Sequence, residues 1–146
     1  MKRRFALPLL VLPAFATAQS CRVDVTPIAF GVYDPSSPSA SVARGDIVLV
    51  CSDTSKGDGV GSVAVRLGGE AARRLAGAGQ MLRYSIFQDA ASSRPWWSNA
   101  PLVAALPAAA GSGAAELHLP VYGRIAPGQW VAAGAYQDVV EVIVEF

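Results

Sequence analysis

Histidine is almost missing from this chain. His118 stands alone among 146 residues, set in Leu117-His118-Leu119 between apolar neighbours. A lone imidazole in such a setting reads as a strand residue rather than a general base. No Gly-x-Ser-x-Gly elbow, His-Glu-x-x-His pair or phosphate-binding loop occurs, which removes the commonest signatures of hydrolase and nucleotide chemistry. Carboxylates are scattered, so only a pair meeting across a sheet, as in a glycosidase, is left to an enzyme reading. Long apolar runs are missing as well. The one candidate, Phe5 to Phe15, is eleven residues broken by Pro8 and Pro13, too short to cross about 30 Å of hydrocarbon.

That short run has another use. Lys2, Arg3 and Arg4 precede it and Ala16-Thr17-Ala18 follows it. A basic start, an apolar centre and an A-x-A end form a secretory signal peptide. Residues 1–18 are therefore expected to be cleaved, leaving residues 19–146 as one domain of 128 residues. A lipoprotein reading through Cys21 fails, because Ala18-Gln19-Ser20 lacks the Leu-x-small pattern. Three of the twelve basic residues leave with the leader, so nine face eleven acidic ones. A net charge near −2 with no basic stripe argues against nucleic acid as a partner. Nothing indicates stable membrane insertion.

Only two cysteines exist, Cys21 and Cys51. In an oxidising compartment a disulfide is the simplest reading, closing a loop of about thirty residues. Two free thiols are the alternative, and a metal site would need further ligands. Asp53 and Asp58 bracket a glycine in "DTSKGDG", but the alternating oxygen ligands and terminal glutamate of a calcium loop are missing. It reads as a solvated turn. No metal and no cofactor is implied.

What the chain does have is alternation. "GDIVLVCS" (Gly45 to Ser52) is apolar on both faces, as in a strand deep in a sheet. Arg22 to Phe30, Val60 to Leu67, Met81 to Asp89 and Glu116 to Gly123 also read as strands, separated by turn residues. The alanine-rich patch Gly69 to Gly79 is expected as a helix of two turns, bounded by its glycines. Ala105 to Ala115 reads as a loop of small residues. Six or seven short strands with almost no helix define an all-β sandwich. Adjacent Trp96 and Trp97 would face opposite ways in a strand. One then belongs to the core and the other is a candidate surface contact, with stacking of Arg94 on the rings as the structural alternative.

The end of the chain, "AGAYQDVVEVIVEF", carries the strongest pattern. Val140, Val142, Val144 and Phe146 share one face, while Val139, Glu141, Ile143 and Glu145 share the other. This is an apolar strand with no following partner. A barrel would have to close that edge, so an open sandwich is expected.

Several landmarks coincide along the chain: Cys21, "FGVY" (Phe30 to Tyr33), "GDIVLVCS" and "ARRLAGAGQMLRYSIFQD" (Ala72 to Asp89). Tyr-Gly-Arg-Ile-x-x-Gly-Gln (Tyr122 to Gln129) and the Gly-x-Tyr-x-Asp of the terminal strand (Gly134 to Asp138) are the most specific. Together they resemble the spore coat protein U domain family, which includes the pilins of archaic chaperone–usher pili. The resemblance covers Cys21 to Phe146. It departs at "WWSN", where the family tends to have Trp-Gly-Asp, and in the alanine-rich loop before Glu116.

The resemblance implies an immunoglobulin-like β-sandwich without its last strand. Its groove is filled first by a periplasmic chaperone and then, through an outer-membrane usher, by the N-terminal strand of another pilin subunit. Val140, Val142, Val144 and Phe146 would floor the groove, and Val23, Val25 and Ile28 would wall it. The implied function is a structural or adhesive subunit of a surface pilus or coat, exported through the periplasm. With cleavage after Ala18, only Gln19 and Ser20 precede Cys21, so the subunit is expected to accept a strand without donating one and to sit at a fibre tip. The alternative is a self-contained secreted sandwich that binds carbohydrate or coats a surface. An enzyme stands third.

Overall fold

The alternating segments pair into two antiparallel sheets. The computed structural model describes residues 20–52, 61–107 and 114–145. The expected leader, the Asp53–Gly59 turn, part of the alanine-rich loop and Phe146 lie outside these. The strands are β1 (Ser20–Thr26), β2 (Ser41–Ser52), β3 (Ser62–Leu67), β4 (Arg73–Gly77), β5 (Gln80–Phe87), β6 (Leu102–Ala105), β7 (Ala114–Ile125) and β8 (Val142–Glu145). One sheet has the order β1-β2-β7-β5-β4 and the other the order β6-β3-β8. Two apolar faces stacked in this way make a sandwich.

The core lies between the sheets. Ile47, Leu49 and Cys51 on β2, Leu82, Tyr84 and Ile86 on β5, and Leu119, Val121 and Ile125 on β7 all point inward. They meet Val63, Val65 and Leu67 of β3, each buried to 2% exposure or less. Trp96 completes the contact. It is fully buried, its ring Nε1–H donates to the Val65 carbonyl at 2.9 Å, and its backbone N–H donates to the Ile86 carbonyl at 2.9 Å. One residue thereby stitches β5 of one sheet to β3 of the other.

Eight strands are present among the described residues, and three expectations about individual segments need correction. The helical patch is a strand: within Gly69 to Gly79, β4 alternates buried Arg73 and Leu75 with exposed Arg74 and Ala76. It pairs with β5 through a two-residue turn at Ala78-Gly79, with φ of 49° and 69°. Positive φ at both centres is the hairpin geometry whose twist matches the strands it joins. Tertiary pairing has overridden the helix preference of alanine. The first strand stops at Thr26, before Pro27, which has no N–H to continue a ladder. The terminal strand starts later than its alternation, covering Val142 to Glu145 among the described residues, and it does have a partner in β3.

Cys21 and Cys51 form a disulfide and sit directly opposite each other in the β1–β2 register. The bridge fastens the edge strand β1 to its neighbour β2.

Candidate functional site

Directly paired residues of antiparallel strands point to the same side of a sheet. Val23 pairs with Leu49 and Val25 with Ile47. Leu49 and Ile47 face the core and are 0% and 2% exposed, yet Val23 and Val25, facing the same way, are 38% and 53% exposed. The inner face of β1 is turned toward the core and left uncovered. Among the described residues β1 pairs only with β2, and β8 pairs only with β3. The sandwich is open along the side where these two edge strands face one another.

The far bank is built by the terminal segment, which crosses from one sheet to the other. Gln137 exchanges two backbone hydrogen bonds with Ala76 of β4, at 2.8 and 3.0 Å. The Glu141 carbonyl then accepts the Gly68 N–H at 2.8 Å, and β8 runs on along β3. A cavity of about 180 Å³ lies between this segment and β1, lined by Val25 and Ile28 on one side and Val140 and Val142 on the other. Ile47, Ile86 and Val121 are also in its lining. A larger hollow of about 770 Å³ continues it past Phe30 and Leu75 toward Trp130 and Tyr136. Val144 is half-buried against the core beyond the first cavity, Val23 lies on the same inner face one pair further along β1, and Phe146 falls outside the described residues.

One polar contact in this groove escaped the sequence reading. The Tyr84 hydroxyl donates to the Asp138 carboxylate at 2.7 Å and ties the terminal segment to the floor. Burial, then the adjacent Asp138, pushes the Tyr84 hydroxyl well above the ordinary phenol range. A raised folded-state pKa on an acidic group means stability that is present below the unfolded value, about 10, and lost as pH rises through it. Urea midpoints are therefore expected to fall between pH 9 and pH 11, with a shallower fall in Tyr84→Phe. An identical slope in the two proteins would remove Tyr84 as the cause.

The motif residues lock this geometry. Phe30 stands edge-on to Tyr84, with ring centroids 5.9 Å apart. A Cβ at position 123 would come within 2.5 Å of the Phe30 ring, so only glycine lets the ring lie against β7. Gln129 acts as a substitute strand for β5, accepting the Arg83 N–H and donating to the Arg83 carbonyl, both at 2.9 Å. The Tyr33 hydroxyl accepts the Gln129 N–H and donates to the Ala126 carbonyl. Widely separated pieces of sequence thus fix the loop that leads into the terminal segment.

Of the tryptophan pair, Trp96 is the core residue, so it cannot be a surface contact. Trp97 is half-buried and keeps that possibility. Among the described residues the cation over an aromatic ring is Arg44 over Tyr122, at 6.0 Å, rather than Arg94 over either tryptophan. His118 lies exposed on β7 with its Nε2 2.7 Å from Glu116. No group of three metal-binding side chains gathers among the described residues, and no helix there is long and apolar enough to cross a membrane.

Two facing sheets with one uncovered inner edge and an apolar cleft beside it define an open, immunoglobulin-like β-sandwich. Residues 8–143 match the Spore Coat Protein U domain, and the chain belongs to that family. Among solved structures it is similar to a chain in the crystal structure of the CsuC–CsuE chaperone–tip adhesion subunit pre-assembly complex from archaic chaperone-usher Csu pili of Acinetobacter baumannii. The identity is 20% and the TM-score 0.60, over 88% of this chain and 40% of that one. The likeness is one of fold, and this chain spans well under half the length of that relative. A comparison with curated proteins finds no match.

Proposed function

We propose that this protein is a subunit of a chaperone–usher surface fibre, exported through the periplasm and completed by a strand from another chain. The observation that carries this reading is the exposure of Val23 and Val25 on a face whose paired neighbours are buried. A long apolar edge left open invites aggregation, and proteins cover such edges. The occupant that fits is an extended segment with alternating apolar side chains. It would add backbone hydrogen bonds along the unpaired edges and set its side chains between Val25, Ile28, Val140 and Val142. A periplasmic chaperone supplies it first, and a neighbouring subunit replaces it at the usher. The family membership and the fold shared with a Csu pilus complex both support this assignment.

Strand capture tests it. A synthetic peptide of alternating apolar residues at a hundred times its dissociation constant is expected to stabilise the domain by about 2.7 kcal/mol. Val142→Asp places a charge in the groove without a partner and should weaken capture by several kcal/mol. Glu141→Lys changes an exposed side chain and should leave capture intact. Equal losses from the two substitutions, or no stabilisation of the parent by any such peptide, would sink the reading.

The place in the fibre follows from the expected cleavage. Ser20 already pairs with Ser52 in β1, so a chain cut after Ala18 keeps only Gln19 ahead of the fold. Filling a groove of ten residues needs about 33 Å of strand. A subunit trimmed there accepts a strand, donates none and occupies the distal tip. Immunogold label confined to fibre ends is the expected result; label along the shaft would exclude a tip position.

A further inference from the structure

The outer face of the larger sheet carries a cluster of arginines that the groove does not use. Arg74 on β4 lies directly opposite Arg83 on β5, and Arg124 on β7 lies opposite Ser85, one diagonal step from Arg83. Like charges directly opposite on a sheet are destabilising, so the fold itself gives no reason for this arrangement. Two acids on that sheet are engaged elsewhere: Asp46 lies 2.9 Å from Arg44 and Glu116 lies 2.7 Å from His118. Among the described residues no carboxylate lies within ion-pair distance of Arg74, Arg83 or Arg124. The three side chains border a concavity of about 220 Å³ with Ser85 on its floor. Arg83 is also held in place from behind, since both its backbone groups are bonded by Gln129.

We propose that this concavity binds the oxyanion groups of an acidic extracellular polysaccharide. Three arginines carried on adjacent strands and lining one concavity offer forked donors matched to carboxylate or sulfate. The scale of the site argues for isolated anionic groups spaced along a polymer. A nucleic acid presents a denser line of charge than three arginines can track. No exposed aromatic borders the concavity to stack a base, its one aromatic neighbour besides Tyr84 being the half-buried Phe87. The face lies on the outside of the sheet, away from the groove, so it stays available when the groove is filled.

Binding of the folded chain to alginate (carboxylated), heparin (sulfated) and neutral dextran, measured at a series of salt concentrations, tests this. Alginate or heparin is expected to bind with an affinity that falls as salt rises, and dextran is expected not to bind. Arg83→Gln should weaken binding about tenfold and flatten the salt dependence. Arg22→Gln, an equal change in charge on β1 where Arg22 is paired with Asp24, should leave both unchanged. Equal effects of the two substitutions, salt-independent binding or retention on dextran would overturn the proposal. So would tighter binding to single-stranded DNA or to anionic lipid vesicles than to either acidic polysaccharide. A groove that fails to capture a strand would leave these measurements unaffected, so the two readings stand or fall separately.

Discussion

Trp96→Ala is expected to remove about 3–5 kcal/mol of folding stability, with a further 1–3 kcal/mol or so if the Val65 carbonyl loses its donor without replacement. A small domain has only about 5–15 kcal/mol in total, so the variant should be partly unfolded at ambient temperature. The reason is position as much as size. Trp96 is completely buried, and its two hydrogen bonds reach Ile86 and Val65, one on each sheet. Its truncation opens a cavity where the layers are joined. Trp97→Ala, on a half-buried neighbour, should cost about 1 kcal/mol or less. Urea unfolding of the two variants decides the matter: comparable midpoints would mean that Trp96 does not join the two layers, and a lower midpoint for Trp97→Ala would exchange the core and surface members of the pair.

Cys51→Ser ranks with it. Removing a native disulfide from a small exported domain typically costs about 2–5 kcal/mol. Cys51 is fully buried in the core, so serine also brings in a hydroxyl that needs a partner. The damage should concentrate at β1, which among the described residues pairs only with β2. Lower yield of exported protein and a lower melting temperature are expected, together with weaker strand capture. An unchanged melting temperature, or no response of the parent protein to a reductant, would show that the bridge contributes nothing.

The sequence spoke clearly where a single strand carries its own pattern. β2 was legible as a run apolar on both faces, and β5 and β7 because inward residues such as Tyr84, Ile86, Leu119 and Val121 alternate with outward ones. β4 was not, because its small alanine- and glycine-rich segment favours helix locally and becomes a strand only through the hairpin to β5. β6 was missed because four residues within an alanine-rich run show no period. Val25, Ile28, Val140 and Val142 line one cavity; Val140 and Val142 show a local alternation, whereas Ile28 lies beyond the end of β1 at Thr26. The Tyr84–Asp138 contact joins positions 54 residues apart, and its only hint was the Gly-x-Tyr-x-Asp motif. The arginine cluster gave no signal: Arg74 faces Arg83 only because the segment expected as a helix is a hairpin, and the distant Arg124 joins them only through strand order.

The crossing of the terminal segment between sheets also sets an order of events in time. β7 must insert between β2 and β5 before the larger sheet has a centre, and β3 has only the short β6 beside it until residues 142–145 arrive. Nearly every strand pairing here joins distant parts of the chain, which makes folding slow and leaves sticky intermediates exposed meanwhile. A polypeptide emerging N-terminus first on the far side of a membrane therefore cannot finish either layer early. It must wait, half-assembled, for its last strand to come through, and a helper that holds β1 and β8 apart during that delay would act on the rate of folding as much as on its end point.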